Sequence, residues 1–395
     1  MSGFHIWYTL ITIVVVLGVL LGGALYLVLL ERKVSAWVQD RLGPNRVGKY
    51  GLIQPIADAF KLLFKEDVIP GRVDKVLFLA APAIAVTTSM LAFAVVPFGP
   101  TTVPPNPPVS NVSAAEQERY KRDLKQYESR YQFVIAPRVD IGIVFVFAVT
   151  SLAVYSLLLS GWSSNNKFSF IGGLRSSAQL VSYEIPMGMS ILGLILMTGS
   201  LDMERIIQKQ AESGWYIFFQ PLAFLLFMVS AFAECNRLPF DLPEAEQELV
   251  GGYHTEYSGL KFVFFYLGEY VHLVTTSFLF VIMFFGGWHF PLIATAGPGG
   301  VLIKFIVMLV KVSGFILFYL LIRWTIPRFR FDQLMGLAWK VLIPLALLNV
   351  VSVMVVMQLG WTPWLLLPIS VALLFGAAAF TVWRGPSPRV ATRGL

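Results

Sequence analysis

The sequence predicts an all-α integral membrane protein of about nine transmembrane helices, and three observations carry that expectation. Only 13% of the 395 residues are charged and 56% are hydrophobic, whereas a soluble domain is about 25% charged. Mean hydropathy is +0.71. Nine mostly apolar stretches recur along the chain, each close to the ~20 residues that cross a bilayer as a helix. The single cysteine, Cys235, excludes a disulfide framework, a Cys-ligated iron–sulfur cluster and a structural zinc site within the chain. No dinucleotide or Walker motif occurs, and the four histidines are scattered without a metal-ligand spacing.

The first span runs from Ile6 to Leu30 and ends in Glu31-Arg32-Lys33. Positive flanks favour the cytoplasm, so the N-terminus is expected outside. Residues 31–75 follow as a basic loop. Within them, 52–65 places Gln54, Asp58, Lys61 and Lys65 along one helical face and Leu52, Ile56, Phe60 and Phe64 along the other. That pattern predicts an amphipathic helix at the membrane surface, serving either as a peripheral anchor or as the wall of a cavity.

A second span (Val76 to Val96) leads to an external loop over 97–137, Pro-rich at first and then of mixed charge, with a solvated helix expected in its second half. The third span is Ile141 to Leu159. An inside loop with Lys167 and Arg175 precedes the fourth, Leu180 to Met197, which contains Glu184 beside Pro186. A short outer loop leads to the fifth span, Trp215 to Ala233. The sixth (Phe262 to Phe285) carries Glu269, and the seventh (Val301 to Trp324) carries Lys304, Lys311 and Arg323. The eighth is Leu337 to Met357. The ninth, Trp364 to Val382, and a basic tail extend the 1–360 core through 361–395, with the C-terminus expected in the cytoplasm.

The stretch 232–257 holds Glu234, Asp241, Glu244, Glu246, Glu248 and Glu256 against one base, Arg237. Six of the chain's 23 acids thus fall in 26 residues. Clustered carboxylates repel one another and are costly to ionise near a bilayer. Acids contribute little to topology, so function is the stronger reason for this cluster. Glu184, Glu234 and Glu269 sit on three different spans. On neighbouring helices they would relay protons through water; alternatively, pairing with Lys311 or Arg237 would only lock the helices together. The inside loops add Arg32, Arg41, Arg46, Arg323, Arg328 and Arg330 opposite Asp58 and Asp241. Arginine suits such pairing because its planar fork stays charged. A polar chamber at the membrane edge with aromatic and aliphatic walls, among them Phe262 and Phe265, would fit an amphiphile with a polar head and a greasy tail.

Four long segments, ERKVSAWVQDRLGPNRVGKYGLIQPIADAFKLLFKED, GGLRSSAQLVSYEIPMGMS, FAECNRLPFDLPEAEQELVGGYHTEYSG and PRFRFDQLMGLAWK, occur in that order. They closely resemble the quinone-channel membrane subunit of proton-pumping NADH:quinone oxidoreductase, respiratory complex I, over about residues 5–360. The resemblance implies a subunit of the bacterial inner membrane that forms most of a quinone tunnel and couples quinone reduction to proton movement. It implies that Arg32, Asp58, Arg237, Asp241 and Arg323 line or support the quinone chamber. It further implies an acidic path of Glu184, Glu234, Glu246, Glu248 and Glu269 leading from the chamber into the membrane. No cofactor is expected on this chain, quinone being its substrate. FMN and iron–sulfur clusters are expected on peripheral-arm partner subunits, with small membrane subunits leading to antiporter-like ones. Lipid is a further expected partner and nucleic acid is not. The enlarged 98–137 loop and the added ninth span depart from the family's eight-span pattern. Membrane-bound hydrogenases use homologous subunits, and a stand-alone ion transporter is a further alternative; no internal repeat supports the latter.

Overall fold

The computed structural model describes residues 3–102, 105, 114–129, 132–137, 139–241, 250–291 and 299–383. Among them all the regular secondary structure is helical, with no strand. Helix α1 spans Gly3–Val38, α2 Gln54–Leu63, α3 Lys75–Ala92 and α4 Ala114–Ser129. The third span is two helices, α5 (Gly142–Ser151) and α6 (Ala153–Ser163), followed by α7 (Lys167–Thr198). Short α8 (Met203–Ser213) and α9 (Tyr216–Phe219) precede α10 (Pro221–Glu234). Then come α11 (Gly259–Phe284), α12 (Gly300–Thr325), α13 (Phe331–Leu337), α14 (Ile343–Gln358) and α15 (Leu366–Trp383).

Among the described residues seven helices are long and apolar enough to cross a membrane, and Pro221–Glu234 and Pro363–Ala379 are shorter apolar ones. These nine segments coincide with the nine expected spans. A helical backbone is what the bilayer demands, because it satisfies every interior N–H and C=O within the segment. The outward faces are apolar: Trp7, Ile11, Val14, Val15 and Val19 of α1 are all more than half exposed. In water such a face would be an aggregation hazard, and in lipid it is at home.

Helix boundaries depart from the expected ones in an informative way. Helix α1 does not stop at Leu30 but continues to Val38, and its 36 residues span about 54 Å. Glu31, Arg32 and Ser35 are therefore held on a rigid helix and not on a loop. The expected inside loop over 161–179 contracts to a turn, because Asn166 accepts a hydrogen bond from Phe168 N (2.9 Å) and caps α7 at Lys167. Gly199, at φ 73°, ends that helix in the left-handed conformation. The fifth span shortens to 14 residues because Pro221 has no N–H to continue α9. A π-helical turn over Ala338–Leu342 separates α13 from α14, and Pro344 lies in the first turn of α14. Proline removes a backbone donor there, which accounts for the widened turn.

Helix α11 is the centre of the bundle, with α1, α3, α10 and α12 packed around it. Its rings interlock with those of α10 and α12: Phe227 meets Phe280 edge-on at 4.8 Å, and Phe280 stacks on Phe315 at 5.0 Å. Helices α6 and α7 approach through glycine. A Cβ on Gly161 would come within 2.7 Å of Ser169 O, and one on Gly172 within 2.7 Å of Gly252 Cα. Small residues permit this backbone contact, which seats the 252–257 segment against α7. Helix α15 packs on α10 and α14, with Leu366 against Val353 and Val356, and just before it Trp364 meets Phe219 of α9 at 4.7 Å.

The expected solvated helix in the 97–137 loop is present as α4. The loop is fastened near its two ends by Phe98 N to Phe133 O and Ala136 N to Ala94 O, each 2.9 Å.

Candidate functional site

The site is assembled where α1, α10, α11 and α12 converge. Asn236, in the left-handed conformation at φ 49°, turns the chain after α10. Gln179 of α7 pins that turn by donating to Ala233 O and Phe240 O, both at 2.9 Å. Arg237 thereby points inward, its Nη1 3.3 Å from Glu31 Oε2 and its Nε 3.6 Å from Glu269 Oε2. Its guanidinium lies 4.1 Å from the centre of the Tyr270 ring, a cation–π contact. Glu31 also accepts from the Tyr270 hydroxyl (2.7 Å) and pairs with Arg323, which ends α12. Glu269 accepts from the Tyr253 hydroxyl at 3.1 Å. Two carboxylates and two guanidiniums are thus interleaved in a buried cluster, so the expected pairing of Arg237 with an acid is present.

Two further pairs flank this centre. Asp241 accepts from Arg328 Nη2 at 2.9 Å, and Phe240 stacks on Phe329 nearby at 5.5 Å. Arg32 reaches Asp58 at 2.7 Å on the exposed side, and Gln54 donates to the same carboxylate at 2.8 Å. Between α1 and α2 lies a cleft of about 640 Å³ lined by Glu31, Arg32, Ser35, Arg41, Arg46, Gln54 and Trp324. Glu31 therefore joins the cleft to the buried cluster. The apolar face of α2 is uncovered, with Ile56, Phe60 and Leu63 exposed. Phe262 and Phe265 pack instead in a separate apolar cluster with Tyr253 and Tyr257. Tyr257 stacks face to face on Phe78 (4.0 Å), donates to Phe78 O (3.1 Å), and has its phenol pushed up to about 12 by burial. His254 is pulled down to about 4 by burial and so stays neutral.

A second cavity, of about 70 Å³, lies deeper and has room for a few waters. Glu184, Glu234, Glu269 and His272 line it together with Ser151, Thr88 and Ser89. Ser151 Oγ donates to Glu184, and His272 Nε2 lies 3.4 Å from Glu234 Oε1. Three acids that the sequence put on three different spans therefore share one cavity. Lys311 is not among their partners: its Nζ donates to Phe285 O, Gly287 O and His289 O at 2.7–2.8 Å, capping the C-terminal end of α11. Glu246 and Glu248 fall outside the described residues, as does Glu244.

Sequence reasoning missed Tyr253, Tyr270, Gln179, Ser151 and His272. Tyr270 follows Glu269 directly, but helical neighbours diverge by about 100°. The acid faces Arg237 and Tyr253 while the phenol crosses to Glu31. Serine and glutamine within spans are common enough to carry no signal by themselves.

At the opposite end of the bundle, Asp202 caps α8 by accepting from Glu204 N (2.9 Å). Burial, with the nearby Asp202 carboxylate, pushes Glu204 up to about 8. Burial also raises Asp202, with Arg205 opposing and Asp140 reinforcing the shift. An unfolded glutamate releases its proton near pH 4.5, whereas folded Glu204 keeps it to about 8. The folded chain thus binds more protons across that window, and this site loses stability as pH rises through it. Glu204→Gln is expected to raise the thermal midpoint of the purified protein at pH 8 by several degrees, with the difference vanishing towards pH 4.5. Thermal unfolding at the two pH values measures it.

Residues 11–354 match the NADH dehydrogenase family. The H subunit of NADH-quinone oxidoreductase from Flavobacterium psychrophilum is 42% identical over 345 residues, covering 86% of this chain and 94% of that protein. Subunit 8 of the same enzyme from Rhodothermus marinus is 44% identical over 360 residues, covering 88% and 96%. A second H-type subunit, from Geobacter sulfurreducens, is 45% identical over 328 residues, covering 83% and 89%.

Proposed function

This chain belongs to the NADH dehydrogenase family, as an H-type subunit of NADH-quinone oxidoreductase, and on that premise we propose that it holds the quinone and couples its reduction to proton movement. The carrying observation is that one helix, α11, presents Glu269 both to the Arg237–Glu31 cluster behind the cleft and to the deeper cavity with Glu184 and Glu234. The cleft at Glu31, Arg32 and Trp324 receives the quinone from the membrane edge, beside the exposed apolar face of α2. Two electrons reach it from NADH through partner subunits, which carry the flavin and iron–sulfur clusters, and two protons complete the quinol. Asp58 holds Arg32 in place at the rim, while Asp241 and Arg328 brace the turn that carries Arg237.

Each carboxylate has a distinct task in this scheme. Glu31 and Glu269 share the charge of Arg237 and Arg323, so a change of charge in the cleft shifts the balance between them. Glu269 passes that change on by gaining or losing a proton towards Glu234 and Glu184 across the water-sized cavity. Glu246 and Glu248, on the segment next to Asp241, extend the same acidic path. The N-terminus lies outside and the C-terminus in the cytoplasm of a bacterial inner membrane, with the basic loops towards the peripheral-arm subunits.

Gentle solubilisation with an affinity tag on this chain tests the reading. A large assembly carrying flavin absorbance and iron–sulfur EPR signals, with NADH:quinone activity, is the expected result. An isolated chain, or an assembly with hydrogenase activity and no NADH oxidation, would overturn it.

A further inference from the structure

The cavity lined by Glu184, Glu234 and Glu269 also carries an imidazole on its wall. His272 lies three residues after Glu269 on α11, on the neighbouring face of the helix. Its Nε2 is 3.4 Å from Glu234 Oε1, with side-chain exposures of 14% and 10%. That is an ion-pair distance without the alignment of a hydrogen bond. The other carboxylate oxygen, Glu234 Oε2, is buried with no hydrogen-bond partner among the described residues. A histidine on the wall of a water-sized cavity, beside a carboxylate with an unfilled acceptor, is placed to accept and release protons.

We propose that His272 is a proton-transfer group between Glu269 and Glu234, so that the path alternates carboxylate, imidazole and carboxylate. The inference rests on the reading of the acidic path given above and assigns it a member. Imidazole has two ring nitrogens and takes a proton at one while giving it up at the other. Protonation at Nδ1 and release from Nε2 to Glu234 moves one proton along the cavity and leaves a neutral ring. Reorientation of the ring or a bridging water then restores the starting tautomer. Imidazole as a class changes charge between pH 5 and 8, whereas serine and threonine hydroxyls on the same walls do not.

The groups around His272 fit this task. Helix α10 brings Glu234, with Cys235 next to it, and α7 brings Glu184; Glu269 lies on its own helix with Arg237 beyond. Helix α3 contributes the uncharged Thr88 and Ser89. From α12 the Tyr319 hydroxyl reaches Thr276 at 3.5 Å, and from α1 Glu31 is engaged with Arg237, Arg323 and Tyr270. The two guanidiniums among these groups are thus bound to Glu31 and Glu269, so a protonated His272 has Glu234 as its counterion.

The test uses the assembled complex in native membranes, comparing wild type, His272→Gln and Glu234→Gln. NADH oxidation by ferricyanide, which bypasses the quinone, checks that the peripheral arm is intact; His272→Asn replaces the glutamine variant if the latter does not assemble. Quinone-coupled turnover of His272→Gln is expected to fall at least about tenfold, a floor below the ~10²–10⁴-fold typical of a positioned acid–base group. The pH dependence of its turnover is also expected to differ from that of the wild type. Wild-type turnover with an unchanged pH profile in His272→Gln, alongside a disabled Glu234→Gln, overturns the histidine assignment and leaves the acidic path standing. Lower turnover with the wild-type pH profile also overturns it, since that marks a structural pairing with Glu234. If Glu234→Gln too behaves as wild type, the path itself fails and the histidine assignment with it.

Discussion

Replacing Arg237 by alanine is expected to reduce NADH:quinone turnover by at least about a hundredfold, the largest effect of any single substitution considered. The guanidinium stands between Glu31 and Glu269, at 3.3 and 3.6 Å, and each of these acid side chains is about a tenth exposed. Removing it leaves two buried carboxylates, and among the described residues Arg323 remains as the cation paired with Glu31. Breaking a buried ion pair in this way typically costs about 3–5 kcal/mol, because the surviving charge stays buried without its partner. Each 1.4 kcal/mol corresponds to about tenfold in an equilibrium or rate, so the cluster can hold its arrangement only by taking up a proton or by opening. Arg237→Lys separates charge from shape: it keeps the charge but lacks the planar fork and the stacking on Tyr270. It is expected to recover part of the turnover. Quinone reductase activity, with ferricyanide reduction as the control for assembly, measures both; wild-type turnover in Arg237→Ala would remove the cluster from the account.

Glu234→Gln is expected to have the second-largest effect, of a different kind. The side chain is nearly isosteric and the α10 turn is held by Gln179 through the backbone, so the complex should assemble. What is lost is a group that can give up a proton inside the cavity. Proton pumping by reconstituted complex is expected to fall by about a hundredfold, the scale of removing a positioned acid–base group, with ferricyanide reduction intact. The same substitution at Glu184 tests the next position, where the Ser151 hydroxyl already occupies one carboxylate oxygen. Pumping at the wild-type rate in Glu234→Gln would assign that carboxylate to packing alone.

The fold was largely legible because its signal is composition. Apolar stretches near 20 residues mark spans whatever their neighbours are, and all nine coincide with apolar helices in the structure. Where those helices end was less legible. Charged residues suggested that α1 stops at Leu30, yet it continues to Val38 because nothing in Glu31–Val38 breaks a helix, and the snorkelling of long side chains lets charges ride beyond the hydrocarbon. The expected loop before Leu180 failed for the complementary reason. Lys167 and Arg175 suggested an inside loop there, but Gly172 and Gly173 serve the close approach of α7 to α6 and to the 252–254 turn.

The site was legible in its acids and bases and illegible in its hydroxyls. Glu184, Glu234 and Glu269 stood out because a carboxylate at membrane depth needs a reason, and the structure brings them to one cavity. Arg237 was expected to pair with an acid, but the choice of Glu31 and Glu269 depends on how α1 and α11 cross, which no local pattern encodes. Lys311 shows the converse: a lysine in a span looked like a partner for the acids and instead caps the carbonyl end of α11. Tyr253 and Tyr270 became visible only with the fold, since their role is to donate to Glu269 and Glu31 across distances set by packing.

In the proposed function, quinone occupies the cleft between α1 and α2 at the edge of this cluster. A quinone bearing a photoreactive group on its ring, cross-linked to the intact complex and mapped by mass spectrometry, tests it directly. Label is expected within 31–54 or at Trp324, displaced by excess unlabelled quinone and lost in Arg237→Ala. Competed label confined to other subunits, or to the far end of this chain around Asp202 and Glu204, would contradict it.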